Sequence, residues 1–312
     1  MQIRKNHLLG LLACSFTLGV FFVTTSTPKP NTNSFEALLD QYFPETFFMP
    51  RAVNRKLLDR YNEQELALIY ADLQERQDAL FAGAAKTNEY LATAGAPCSG
   101  KSTLLEQIIA ASPIKYVYVD PDRATLLQMS NTYKKDIENK TRTIEEAYTY
   151  WRDASNFIAN LFLAKALKEG YAIAHGTTMT SPIIGKLFNS LKTDYGRTIH
   201  LLHVTCDEAI RKASEEQRRA GGVVQCTWED FTTKMTMFCD RLPDYRLADK
   251  IDFHFRSDMH GYTLAATWQS DKFTVANSTA LQHIRALHDQ YKHGGYFDSC
   301  MLTAAASQYR IQ

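Results

Sequence analysis

Residues 90–103 read Tyr90-Leu91-Ala92-Thr93-Ala94-Gly95-Ala96-Pro97-Cys98-Ser99-Gly100-Lys101-Ser102-Thr103. From Gly95 to Ser102 the stretch fits G-x-x-x-x-G-K-[ST] at every fixed position. The residues before it form a short apolar strand, and those from Thr103 to Ala111 carry a helical pattern. Strand, glycine-rich turn and helix in that order make an anion cradle. The glycines let the backbone approach phosphate oxygens, and the helix N-terminus adds unpaired N–H groups and a positive dipole end. Lys101 is expected to reach the β- and γ-phosphates of ATP, and the Ser102 hydroxyl to ligate Mg²⁺. A plain glycine-rich turn would not need lysine followed by serine. The expected nucleotide-binding set is Gly95, Ala96, Pro97, Cys98, Ser99, Gly100, Lys101, Ser102 and Thr103. Cys98 reads as a loop residue without a role of its own.

Working outward, further strands are expected over Lys115–Asp120, Tyr171–Ala174, Thr198–Val204 and Ile251–Phe255, with a hairpin over Tyr262–Trp268 and Phe273–Val275. Helical patterns fall between them, the longest running from Thr143 to Glu169 with Gly170 as its stop. Alternating strands and helices predict an α/β fold. Its expected form is a P-loop NTPase-type three-layer sandwich, a mainly parallel sheet with flanking helices. Residues 34–85 read as an N-terminal helical extension broken at Pro44 and Pro50. The expected kinase-like domain covers 34–270. Residues 271–312 are a C-terminal extension in which no motif is legible.

The second strand closes on Asp120-Pro121-Asp122-Arg123. In an open α/β sheet, ligands sit beyond the carboxyl ends of the strands. That puts both carboxylates beside the phosphate loop. One can hold Mg²⁺ and the other can take a proton from a substrate hydroxyl, although Asp-Pro-Asp also initiates turns. His175 ends the third strand, where it can touch substrate. Thr177 and Thr178 can bond substrate hydroxyls or cap the next helix. Arg211, Arg218 and Arg219, ahead of Gly221-Gly222, suit a lid over the phosphates.

The 312-residue chain carries 35 Lys+Arg against 34 Asp+Glu, a net charge of +1. That balance argues against general nucleic-acid binding. The six cysteines form no C-x-x-C pair and no zinc-ligand spacing, so they read as reduced, packed thiols. Arg4 and Lys5 precede an uncharged run, Leu8–Val23, and then a Thr/Pro stretch. Residues 1–26 are therefore expected to be a signal peptide or membrane anchor and 27–33 a linker, with the protein membrane-anchored or exported, or cytoplasmic if the run is no signal.

These features resemble the zeta-toxin kinases, over roughly Ser34 to Asp258. Members combine the phosphate loop with D-x-D after strand two, here Asp120-Pro121-Asp122. They also carry G-T after strand three, here Gly176-Thr177, and an arginine-bearing helix before G-G. The resemblance implies an ATP-dependent small-molecule kinase with Mg²⁺, a hydroxyl acceptor such as a UDP-sugar, and an antitoxin or inhibitor protein as partner. It assigns Asp122 as catalytic base, Lys101 and Ser102 to phosphate and Mg²⁺, and Arg218 or Arg219 to a phosphate clamp. Asp120 is expected as a secondary metal or substrate contact, and His175 and Thr177 as substrate contacts. The chain departs from the pattern at His175, where members often have an acidic residue. It departs again after Gly222, where Val223-Val224-Gln225-Cys226 replaces a histidine and a further arginine. Rival readings are another metabolite kinase, acting on a nucleotide, NAD or a sugar acid, and a non-catalytic nucleotide-binding module.

Overall fold

Strand β1 (Glu89–Ala94) is buried along nearly its whole length. A continuous buried run of this kind belongs at the centre of a parallel sheet covered on both faces. The computed structural model describes residues 32–44, 49–220, 228–259 and 261–302. Around β1 lie β2 (Val117–Val119), β3 (Ile173–His175), β4 (Thr198–Cys206), β5 (Lys250–Arg256), β6 (Tyr262–Gln269) and β7 (Lys272–Val275), in the order β2-β3-β1-β4-β5-β6-β7. The first five are parallel. β6 and β7 extend the sheet as an antiparallel hairpin. From β1 the chain moves to one side for β2 and β3, then crosses to the other for β4 and β5. β1 is thus the switch point at which an open α/β sheet forms its crevice.

The N-terminal helices are α1 (Thr32–Tyr42), α2 (Arg51–Lys56) and α3 (Glu63–Phe81). Helix α4 (Lys101–Ala111) follows β1, and α5 (Tyr133–Glu138) and α6 (Ile144–Glu169) lie between β2 and β3. Then come α7 (Ile184–Thr193), α8 (Glu208–Ala220), α9 (Trp228–Asp240) and α10 (Leu242–Tyr245), with α11 (Ser278–Tyr291) and α12 (Tyr296–Met301) after the hairpin. Helix α6 starts at a capping box, in which Thr143 and Glu146 each satisfy the other's backbone N–H.

Alternation along β1 splits the core. Tyr90, Ala92 and Ala94 join a large cluster with residues of α1, α3, α6, α7, α9, α10 and α11. Leu91 faces the other way and meets Leu104 and Leu105 of α4 together with Leu202 and Val204. Leu281, Ile284, Phe297 and Met301, from the region that carried no legible motif, are buried in the large cluster.

The localisation expected from the N-terminal run is corrected: among the described residues no helix is long and apolar enough to cross a membrane. Leu8–Val23 itself lies outside the described residues, as does Gly221-Gly222. Cys98, Cys206, Cys239 and Cys300 are free and buried.

Candidate functional site

The phosphate loop joins β1 directly to α4, so its backbone turns sharply. Gly100 stands at φ +88°, and a Cβ there would lie 2.5 Å from the Tyr262 hydroxyl. Both facts require glycine. The same hydroxyl donates to Gly100 O at 2.8 Å, pinning the loop to the hairpin. Cys98 also takes a left-handed backbone, φ 62°, and its side chain is buried. Lys101 Nζ donates to Ala96 O at 3.3 Å. Burial, then the neighbouring Arg218 charge, pulls the Lys101 ammonium down to about 8.

Asp120 is buried at the end of β2. One carboxylate oxygen accepts the backbone N–H groups of Asp122 and Arg123, each at 2.8 Å, and so caps a short π-helical turn, Pro121–Thr125. The other accepts from Ser102 Oγ at 3.3 Å and from the Tyr118 hydroxyl at 3.2 Å. To reach Ser102 it must cross the end of β3. Gly176 leaves the room, since a Cβ there would meet Asp120 Cβ and Cγ at 3.0 Å and fall closer still to the carboxylate oxygen. The hydroxyl and carboxylate together are hard oxygen donors of the type that suits Mg²⁺.

Helix α6 holds the next carboxylate. Tyr148 donates its hydroxyl to Asp122 Oδ1 at 2.8 Å, and Arg152 forms an ion pair with Asp122. Arg152 also donates to the Tyr148 hydroxyl at 3.0 Å. Ser155, one turn on, donates to Pro121 O at 2.8 Å. Residues 148, 152 and 155 share one face of the helix, and that face grips the turn bearing Asp122.

These groups open on a cavity of about 570 Å³. Of the expected residues, Pro97, Lys101, Ser102, Asp120, Asp122, His175, Thr177 and Arg218 line it. Gly95, Ala96, Cys98, Ser99 and Gly100 form the loop behind, and Thr103, in the first turn of α4, accepts from Arg123 at 3.2 Å. Arg219 is not brought in. It is exposed and pairs with Glu215 at 2.7 Å. His175 is tied to the Tyr90 hydroxyl, and burial lowers its imidazole to about 4, so it is neutral near pH 7. Thr177 is anchored by its backbone. Its N–H donates to Thr93 Oγ1 at 3.0 Å, and its carbonyl accepts from the same hydroxyl at 2.8 Å. Sequence reasoning missed Tyr148, Arg152 and Lys234, which also line the cavity. The i, i+4, i+7 spacing of Tyr148, Arg152 and Ser155 is the one signal that could have found the first two. Five cations (Lys101, Arg123, Arg152, Arg218, Lys234) against two carboxylates make the lining suited to an anionic ligand.

Residues 91–237 match the family model described as an AAA domain. No curated protein matches the chain. Among solved structures, the chain is similar to one from the PezAT chromosomal toxin–antitoxin system of Streptococcus pneumoniae. The TM-score is 0.51 at 14% identity, covering 78% of this chain and 98% of that one. The chain carries a zeta-toxin-like P-loop fold. A structure of AvrRxo1-ORF1:-ORF2 with ATP is similar at TM-score 0.50 and 15% identity, covering 83% of this chain and 78% of that one. In this zeta-toxin-like fold the phosphate loop, the β2 carboxylates and Arg218 meet at the carboxyl end of the sheet.

Proposed function

We propose that the chain is an ATP-dependent phosphotransferase that moves the γ-phosphate to a hydroxyl of a small metabolite. One observation carries this reading: Lys101 at the phosphate loop and Asp122 at the strand end line the same cavity. A binding module would need the first and not the second. Lys101 and Arg218 would neutralise charge on the transferred group, and Asp122 would take the acceptor's proton. Ser102 and Asp120 would hold Mg²⁺, which supplies charge neutralisation at the phosphates when bound. The similar structure described with ATP supports the nucleotide. The activity is assigned to residues 34–270, with 271–312 as a supporting extension. The zeta-toxin likeness favours a sugar nucleotide such as a UDP-sugar as acceptor. The toxin–antitoxin system among the similar structures favours an antitoxin-like partner.

The test is a metabolite screen with labelled ATP, read by mass spectrometry. Lys101→Ala should abolish product. Asp122→Asn should cut transfer by roughly 10²–10⁴-fold while ATP affinity stays nearly unchanged. Full turnover in either variant would refute the assignment.

A further inference from the structure

We propose that Arg152 gates the Asp122 carboxylate, keeping it paired until an acceptor bearing a phosphate or carboxylate group draws the guanidinium away. The proposal rests on the kinase reading above and adds a control to it.

A general base needs a lone pair turned toward the nucleophile. Asp122 is already engaged by Arg152 and by the Tyr148 hydroxyl, and Arg152 in turn holds that hydroxyl. A carboxylate stabilised by an adjacent cation and a hydroxyl donor is a weaker proton acceptor. Three further cavity cations have contacts or influences away from Asp122. Lys101 bonds within the phosphate loop. Arg123 pairs with Glu106 at 2.6 Å. Arg218 acts electrostatically on Lys101. Arg152 is a cavity cation in direct contact with the proposed base.

The arrangement answers a problem that any such enzyme faces. Water is always present beside the γ-phosphate. With the base unrestrained, a water oxygen would bond to phosphorus as the Pγ–O bond to ADP breaks, ADP leaving with the electron pair and Asp122 taking the proton. With the guanidinium drawn off, the same step runs with an acceptor hydroxyl in place of water, giving ADP and a phosphorylated acceptor. A planar guanidinium exchanges readily between oxyanions, because phosphate and carboxylate both match its fork of N–H donors. Arg152 and Asp122 side chains are 30% and 24% exposed, so an entering anion can reach the pair without unfolding the helix. Burial lowers the Arg152 pKa from its ordinary value. A partly desolvated cation of this kind gains from a second oxyanion. The acceptor class that follows is a hydroxylated metabolite that is itself an anion.

The experiment measures ATP hydrolysis without acceptor, with methylphosphonate as the anion probe because it carries no hydroxyl carbon to phosphorylate. Arg152→Gln should raise hydrolysis about 10-fold, Arg152→Lys should fall between it and wild type, and ATP affinity by titration should be unchanged in both. Methylphosphonate should stimulate wild type saturably and leave Arg152→Gln unaffected. A fall in hydrolysis in Arg152→Gln, or no stimulation of wild type, overturns the gate. If Arg152→Gln fails to fold, Arg152→Lys and the methylphosphonate response of wild type decide. Lys101→Ala and Asp122→Asn separate the two levels. If wild-type hydrolysis survives in both, the kinase reading fails and the gate with it. If hydrolysis needs both and the Arg152 variants do not raise it, the gate alone fails.

Discussion

Gly176→Ala is expected to damage the site through Asp120 alone. The Gly176 backbone is outside the left-handed region, so only contact excludes a side chain, and the contact is with the Asp120 carboxylate. The added methyl must push that carboxylate off its station. Two backbone N–H groups, of Asp122 and Arg123, then lose their cap, at about 0.5–2 kcal/mol for a helix-type cap. The Ser102 and Tyr118 hydrogen bonds go with it, each worth about 1 kcal/mol. A total near 2.5–4 kcal/mol lowers Tm by roughly 4–6 °C for a chain of this size. The assay is thermal and urea unfolding of Gly176→Ala, Asp120→Ala and the double variant. With the carboxylate gone, the alanine methyl still meets the carbon left at position 120 at 3.0 Å, a contact that yields by a few tenths of an ångström. The double variant should therefore be little worse than Asp120→Ala. Additive losses, or a wild-type Tm for Gly176→Ala, would refute the reasoning.

Arg218→Ala should lower kcat at least 10-fold, whereas Arg219→Ala should stay within twofold, because Arg218 lines the cavity and Arg219 pairs with Glu215 in solvent; steady-state kinetics that reverse the order would reject the assignment. Stability should also fall with acid. His203 and His288 are fully buried with their Nε2 atoms 3.1 Å apart, and burial holds His288 at about 3 and His203 well below 6.5. Both stay neutral in the folded protein, while the unfolded chain protonates them below about pH 6.5. The unfolded state thus binds more protons, and stability drops as pH falls from 6.5 toward 3, by up to about 2.7 kcal/mol per pH unit for the pair. Urea unfolding at pH 7, 6 and 5 should show this, and His288→Leu should lower the slope by up to about 1.4 kcal/mol per pH unit, the buried His175 and His254 keeping the rest; an unchanged slope would count against it.

The phosphate loop was legible because its chemistry is local. Eight consecutive residues carry the glycines, lysine and serine, and the strand and helix beside them follow from pattern. Asp120 and Asp122 were legible as a pair, with Asp122 the expected base and Asp120 the expected metal contact, but the seating of Asp120 was not. It depends on Gly176 and Ser102, which reach Asp120 only because β3 lies between β2 and β1. No spacing in the sequence encodes that strand order. Arg218 and Arg219 are neighbours in sequence yet about 100° apart on a helix, so only the fold could choose between them. Tyr148 and Arg152 sat inside a helix recognised for its length, and their polar face was unremarkable until the Asp122 turn was packed on it. Helix α11 was missed because its buried face includes His288 beside Leu281 and Ile284, a polar residue where an apolar pattern was sought.

The hydrogen bond from Tyr262 to Gly100 spans 162 residues, which bears on the order in which a ribosome delivers the parts. At about 5–20 residues per second, Tyr262 emerges some 8–30 s after Gly100. β1 also waits for β3 and β4, its partners on either side. Throughout that interval the glycine-rich segment exists as chain without its support. In a nascent polypeptide of this sequence the phosphate loop therefore gains its contact with Tyr262 late, once the hairpin that carries it has left the exit tunnel.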